Sequence, residues 1–153
     1  MKFEFSAGGI VYKKEDNKML ILVAQHSQHH GWVFPKGLIG DHKKGEKKSA
    51  SAKGFGETKE DAALREVEEE TGIKGKILKP LQPVTYWYNF EGVKIKKTVY
   101  YFLMEFVEGD TKNHDWEMED VEWIPVEKVE KKLTYKSDKQ VWQEVKKQLA
   151  TSR

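Results

Sequence analysis

The hydrophobic pattern of the chain alternates between short strand-like runs and two helical stretches. Phe3 to Tyr12 reads as a strand interrupted at Gly8-Gly9. "MLILVAQ" (Met19 to Gln25) is an apolar run rich in branched residues, as expected of a buried strand, and the turn at Asn17-Lys18 joins the two into a hairpin. "GWVFPKG" (Gly31 to Gly37) is β-prone and ended by Pro and Gly. After a helix come "GKILKPL", "PVTYWYNF" and "KKTVYYFLMEF", the last two flanking a hairpin turn at Glu91-Gly92, and then the short strand "VEWIPV". Val126, Val129 and Leu133 have helical spacing. Val141, Val145 and Leu149 form the apolar face of a C-terminal helix. Strands, helix, strands, helices in that order predict an α+β fold with a mixed sheet covered by helices on both sides.

Between them, residues 40–55 have no apolar period. They carry five lysines (Lys43, Lys44, Lys47, Lys48, Lys53) and are expected to form a long, mobile loop. The 153 residues suit one domain. A charged fraction of 34% nearly cancels to a net +2, so non-specific nucleic-acid binding is not advertised. The absence of cysteine removes thiol and disulfide chemistry and fits a reducing, cytoplasmic setting. No apolar run approaches the roughly 20 residues of a membrane span.

The helix itself is electrostatically odd. "GETKEDAALREVEEETGI" holds seven acidic residues, five of them between Asp61 and Glu70. Thr58 is placed as its N-cap, with Asp61 as capping-box partner, and Gly72 as its left-handed terminator. On a wheel with Ala62 at zero and 100° per residue, Glu69, Glu66 and Glu70 fall at about 340°, 40° and 80°. Ala63, Val67 and Leu64 face the core, while Glu68 and Asp61 point away. Like charges one turn apart repel by a few tenths of a kcal/mol per pair. Three carboxylates beside a core stripe, with no basic residue one turn away, suit a hard divalent cation and a phosphate substrate.

The spacing resembles the Nudix box, G-x5-E-x7-R-E-U-x-E-E-x-G-U with U a bulky aliphatic. Every specified position from Glu57 onward matches, through Arg65, Glu66, Val67, Glu69, Glu70, Gly72 and Ile73. The glycine due six residues before Glu57 is Ser51, and Gly37 of "WVFPKG" takes its part twenty residues before Glu57. The resemblance implies a Nudix fold, with Glu66, Glu69 and Glu70, helped by the Gly37 carbonyl, holding Mg²⁺ or Mn²⁺ for attack of water on phosphorus. It implies that Arg65 orients a glutamate, and that Glu57 pairs with Arg65 or completes an outer metal site.

The flanking segments "FSAGGIVYK", "YWY", "DWEMEDVEWIP" and "LTYKSDKQVW" are similar to the diadenosine tetraphosphate (Ap4A) hydrolase branch. That similarity implies cleavage of Ap4A, a small nucleotide, to ATP and AMP; the chain is expected to be a monomer. Nucleic acid enters only as a 5′-triphosphate end in an alternative reading, and a non-catalytic nucleotide-binding module is the third. Tyr86 and Tyr88 share a strand face and are expected to stack adenine, whereas Trp87 is read equally as a member of an aromatic cross-strand pair in the sheet core. Lys97 and Tyr101 match the branch's polyphosphate and base contacts, and Lys94 and Lys96 crowd the same hairpin. Lys36 is a further phosphate candidate. Glu117 or Glu119 is expected to supply a late metal ligand or the base, with His114 in a loop reaching the site. His26, His29 and His30 are read as surface residues, with contact of one of them to phosphate as the alternative.

Overall fold

The computed structural model describes residues 1–40 and 56–151. The expected lysine-rich loop lies outside the described residues. Among the described residues the strands and α-helices run β1 (Lys2–Glu15), β2 (Lys18–His26), β3 (Trp32–Val33), β4 (Lys36–Leu38), α1 (Lys59–Thr71), β5 (Ile73–Pro80), β6 (Val84–Phe90), β7 (Val93–Gly109), β8 (Met118–Pro125), α2 (Val129–Lys132) and α3 (Lys136–Thr151). The path through the sheet is β3-β2-β1-β7-β5, with β4 pairing β1, β6 pairing β7 and β8 pairing β2. The central pair, β1 with β7, is parallel and the other pairings are antiparallel, so the sheet is mixed as expected.

Residue parity divides the core in two. On one face Ala7, Val11, Phe102 and Met104 pack against Ala62, Ala63 and Val67 of α1. On the other, Ile10, Phe34 and Leu103 pack against Val141, Trp142, Val145 and Leu149 of α3. Each fully buried aliphatic side chain contributes roughly 1.5–3 kcal/mol, so both helices are held chiefly by this burial. Leu64, expected in the core stripe of α1, is only partly buried and Ala62 takes its place. The α1 caps are as expected. Thr58 Oγ1 accepts from the Asp61 amide at 3.1 Å, and Gly72 closes the helix at φ 78°.

Four expectations change. β1 runs unbroken through Gly8-Gly9, because β7 pairs with it from Lys2 to Tyr12 and holds the backbone extended. Gly8 is there for space: a Cβ on it would lie 2.2 Å from the Pro35 carbonyl oxygen. The first hairpin turns at Asp16-Asn17, both at positive φ, one residue earlier than expected. "GWVFPKG" splits into β3 and β4 around Phe34-Pro35. Val126 to Leu133 forms a 3-10 turn and the one-turn helix α2. The Glu91-Gly92 turn is as read, with φ of 50° and 80°, the two-residue geometry that matches strand twist.

Candidate active site

α1 delivers its glutamates to the edge where β4 pairs with β1. Glu66 and Glu70 are almost fully buried, Glu69 is half-buried and Glu68 is exposed. The wheel therefore separated the trio from Glu68 correctly. Gly37 lies directly against the trio: a Cβ there would stand 2.1 Å from the Glu66 carboxyl carbon. The Lys36 backbone amide donates to Glu70 Oε1 at 3.2 Å.

Arg65 corrects the expectation that no basic group stands by. Its Nε donates to Glu57 Oε2 at 2.9 Å, and one terminal nitrogen donates to Glu66 Oε2 at 2.9 Å and to Glu69 Oε1 at 3.2 Å. The other terminal nitrogen reaches Glu57 and the Leu38 carbonyl. Glu57 is itself buried and accepts from the Gly40 amide at 3.0 Å. Arg65 thus braces the glutamates, and Glu57 pairs with it.

The carboxylates are held in tension. Burial pushes Glu66 up to about 7, with Glu69 and Glu117 adding repulsion and Arg65 opposing it. Burial likewise raises Glu70, and the Glu66 charge raises it further. Burial opposes the charge on Lys36, but Asp138, Tyr86 and Glu70 outweigh it and raise its pKa. Lys97 is lowered, first by burial and then by Lys36.

These groups line a cleft of about 310 Å³ that includes Lys36, Gly37, Arg65, Glu66, Glu69, Glu70, Lys97 and Glu117. Among the described residues no three acidic or histidine side chains already form a metal cluster, and Arg65 bridges Glu66 and Glu69. The donor set nonetheless fits a hard dication, since two buried carboxylates and a half-buried third converge where a side chain on Gly37 would not fit.

Other predicted residues are spread around this centre. Tyr86 and Tyr88 do share a face, their rings 6.4 Å apart and tilted by 41°, and the Tyr88 hydroxyl donates to Glu4. They line a second cleft of about 640 Å³ with His29, Val33, Lys36, Tyr135 and Asp138. Tyr101 is placed elsewhere: it is 2% exposed, its ring meets Phe34 edge-on, and its hydroxyl faces Asp138 Oδ1 at 3.5 Å. It is part of the core, because β7 is central at this point and α3 covers that face. Glu117 reaches the cleft, whereas Glu119 pairs with His30 on the surface. The His114 ring bonds the neighbouring Asp115 carbonyl. Lys94 and Lys96 point to the opposite side of β7 from Lys97, over the exposed ring of Trp87.

Sequence reasoning missed Tyr135 and Asp138; His29 and His30 are exposed as read, while His26 is partly buried and, with His29, lines the cleft. His26 and His29 stack at 4.2 Å and line the cleft, and the Tyr135 hydroxyl bonds His29 Nδ1 at 2.9 Å. The end of β2 at His26, with a return to β3 six residues on, was the available signal. Asp138 is buried and accepts from the Phe34 amide at 3.2 Å. A polar residue three positions before the apolar Val141 marked it only as an exposed helix start.

Carboxylates and lysines thus line one cleft. Residues 2–145 match the family model described as the NUDIX domain, and the chain belongs to the Nudix family. It is 32% identical over 144 residues to a candidate mutator protein, MutT4, of Mycobacterium tuberculosis, covering 90% of this chain. The chain spans about half the length of that curated relative, 52%. Among solved structures it resembles a binary complex of the Caenorhabditis elegans Ap4A hydrolase, with TM-score 0.71, 25% identity and coverage of 97% of this chain and 98% of that one. It shares its fold with the NUDIX domain of Shewanella oneidensis NrtR, complexed there with ADP ribose, at TM-score 0.70, 18% identity and coverage of 97% and 90%.

Proposed function

We propose that the chain is a cytoplasmic, monomeric Nudix hydrolase that cleaves a dinucleoside polyphosphate, Ap4A, into ATP and AMP with the help of Mg²⁺ or Mn²⁺. One observation carries this reading. The glutamate-and-lysine cleft and the tyrosine-lined cleft adjoin, sharing His29, Val33 and Lys36. A polyphosphate in the first leaves a base for the second, where tyrosine rings offer stacking. The likeness to the C. elegans Ap4A hydrolase supports the choice.

Glu66, Glu69 and Glu70 would hold the cation. When bound, it neutralises charge on the phosphate oxygens and makes a water more acidic. Gly37 leaves room for the Glu66 carboxylate at that spot. Arg65 keeps Glu66 and Glu69 aimed inward, and Glu57 anchors Arg65. Lys36 and Lys97, lining the same cleft, would attract the phosphate chain. Glu117 is the cleft carboxylate left to accept the water's proton, and Glu119, turned to His30, is not placed for it. The stacked His26 and His29 are both lowered, first by burial, with Lys36 also disfavouring their charge. They face the phosphates as neutral rings.

Hydrolysis of an RNA 5′-triphosphate end or of another nucleoside diphosphate linked to a further group is the second reading, kept open by the 32% identity to a relative named as a mutator protein rather than as an Ap4A hydrolase. A panel of Ap4A, Ap3A, capped RNA, triphosphorylated RNA and oxidised nucleoside triphosphates, incubated with Mg²⁺ and resolved by chromatography, decides between them. Ap4A giving ATP plus AMP with the highest kcat/KM is the expected result. A higher kcat/KM on an oxidised triphosphate or an RNA end overturns the assignment, and no turnover of any substrate with Mg²⁺ or Mn²⁺ overturns hydrolysis itself.

A further inference from the structure

The lysine-rich hairpin divides its charge between two faces, and only Lys97 serves the cleft. The opposite face is a separate surface. Phe3 and Phe5 of β1 and Trp87 of β6 stand out from the α1 side of the sheet, 55%, 48% and 48% exposed. α1 covers Ala7 and Val11 on this face, and Lys59 at its start reaches 4.8 Å over the Tyr100 ring, beside Ala7. The rows beyond Ala7 are the exposed ones. Strand register sets them side by side: Phe3 neighbours Lys96, which neighbours Trp87, and Phe5 neighbours Thr98. The ammonium groups of Lys94 and Lys96 lie 4.7 and 5.5 Å from the Trp87 ring centroid. The acid at this end of β1, Glu4, faces the other way and accepts from Tyr88. In these rows, the side chains that β1, β6 and β7 turn to this face are aromatic, hydroxyl, amide or cationic, with no carboxylate among them.

Exposed rings invite three occupants, and the charge selects one. A second copy packed about a two-fold axis would set the same lysine pair against itself. Insertion into lipid would draw the two ammonium groups beside the indole toward hydrocarbon. A single nucleic-acid strand uses both features at once, since every base has a π-face to stack and every phosphate a charge to pair. Phe3 and Phe5, two residues apart on one strand, are about 7 Å apart, enough for each to take its own base. We propose that this face binds single-stranded nucleic acid, with bases on Phe3, Phe5 and Trp87 and phosphates on Lys94 and Lys96. The surface is on the opposite side of the sheet from Lys97, so the proposal does not depend on the substrate assigned to the cleft.

Fluorescence anisotropy with 3′-labelled, 5′-hydroxyl 12-nucleotide oligo(U) and oligo(dT), without divalent cation, tests it. The full chain is expected to bind at 50 mM salt. Phe5→Ala and Trp87→Ala should each weaken binding about tenfold, within the range for loss of one stacked base, and Trp87→Phe should restore most of it. A Lys94→Gln/Lys96→Gln double variant should reduce the slope of log affinity against log salt by about 1.4. The ratio of oligo(U) to oligo(dT) affinity then says whether RNA or DNA is preferred. All five side chains reach solvent, and a thermal melt of each variant confirms that it folds. No binding at 50 mM salt, equal affinity across the aromatic variants, or equal affinity for duplex overturns the proposal. So does loss of the face's exposure through a concentration-dependent dimer, or capture by anionic vesicles without capture of either oligonucleotide.

Discussion

Glu66 concentrates the electrostatic problem of this protein in one side chain. It is buried, adjacent to two other acids, braced by Arg65 and packed on a glycine that could not be alanine without a clash. Glu66→Gln, Glu69→Gln and Glu70→Gln should each lower kcat on Ap4A by roughly 10²-fold or more in steady-state assays with Mg²⁺, the usual scale for losing an electrostatic stabiliser. Glu68→Gln, on the exposed side of α1, should be nearly silent, and equal damage at Glu68 and Glu69 would refute the division of the helix. That division was legible in the sequence because helical geometry alone fixes it. The bracing by Arg65 came only from the resemblance to the Nudix box, since a wheel gives directions and says nothing of how far a guanidinium bends back. Tyr101 failed for a similar reason: its strand face could be counted, but that the third layer closes over that face could not.

At the scale of the element, the alternation of a strand decides which lysine matters. Lys97 shares the face of Tyr86, its partner across the β6–β7 pair, whereas Lys96 is paired with Trp87 and shares its side. If the proposed substrate is right, Lys97→Ala should raise KM for Ap4A several-fold and flatten its dependence on salt, because one ionic contact with phosphate would be lost. Lys94→Ala should leave KM where it is. Initial-rate measurements across a salt series check both, and a rise in KM for Lys94→Ala equal to that for Lys97→Ala would mean that sequence crowding, not facing, governs substrate capture. α1 and the β6–β7 hairpin were legible because their own residues determine their ends. Thr58 and Gly72 cap the helix, and Glu91-Gly92 supplies the positive φ values of the turn. β1 was misread at Gly8-Gly9 because its continuity comes from partners far away in the chain. β7 pairs along its length, and Pro35 occupies the space a side chain would need.

Across the whole molecule, folding gathers carboxylates that the unfolded chain would leave apart, and this links stability to both protons and cations. Glu66 is raised from 4.5 to about 7 by burial first, and Glu70 and Asp138 are raised chiefly by burial too. A carboxyl with a higher pKa in the folded state binds protons more tightly there than in the unfolded chain. The stability that Glu66 contributes is therefore fully present below about 4.5 and lost as pH rises through about 7. In the metal-free protein the melting temperature should fall between pH 5 and pH 8, and Glu66→Gln should flatten that fall. Mg²⁺ needs the carboxylates ionised, so it competes with protons and its affinity should strengthen as pH rises toward 8. At a hundred times its dissociation constant it adds about 2.7 kcal/mol, which for a chain of this size corresponds to a rise of roughly 5–10 °C. Calorimetric melts at pH 6 and pH 8, with and without Mg²⁺, should show the larger rise at pH 8 and a much smaller one in Glu66→Gln. An equal rise at both pH values, or one that survives Glu66→Gln, would place the cation away from the buried glutamates.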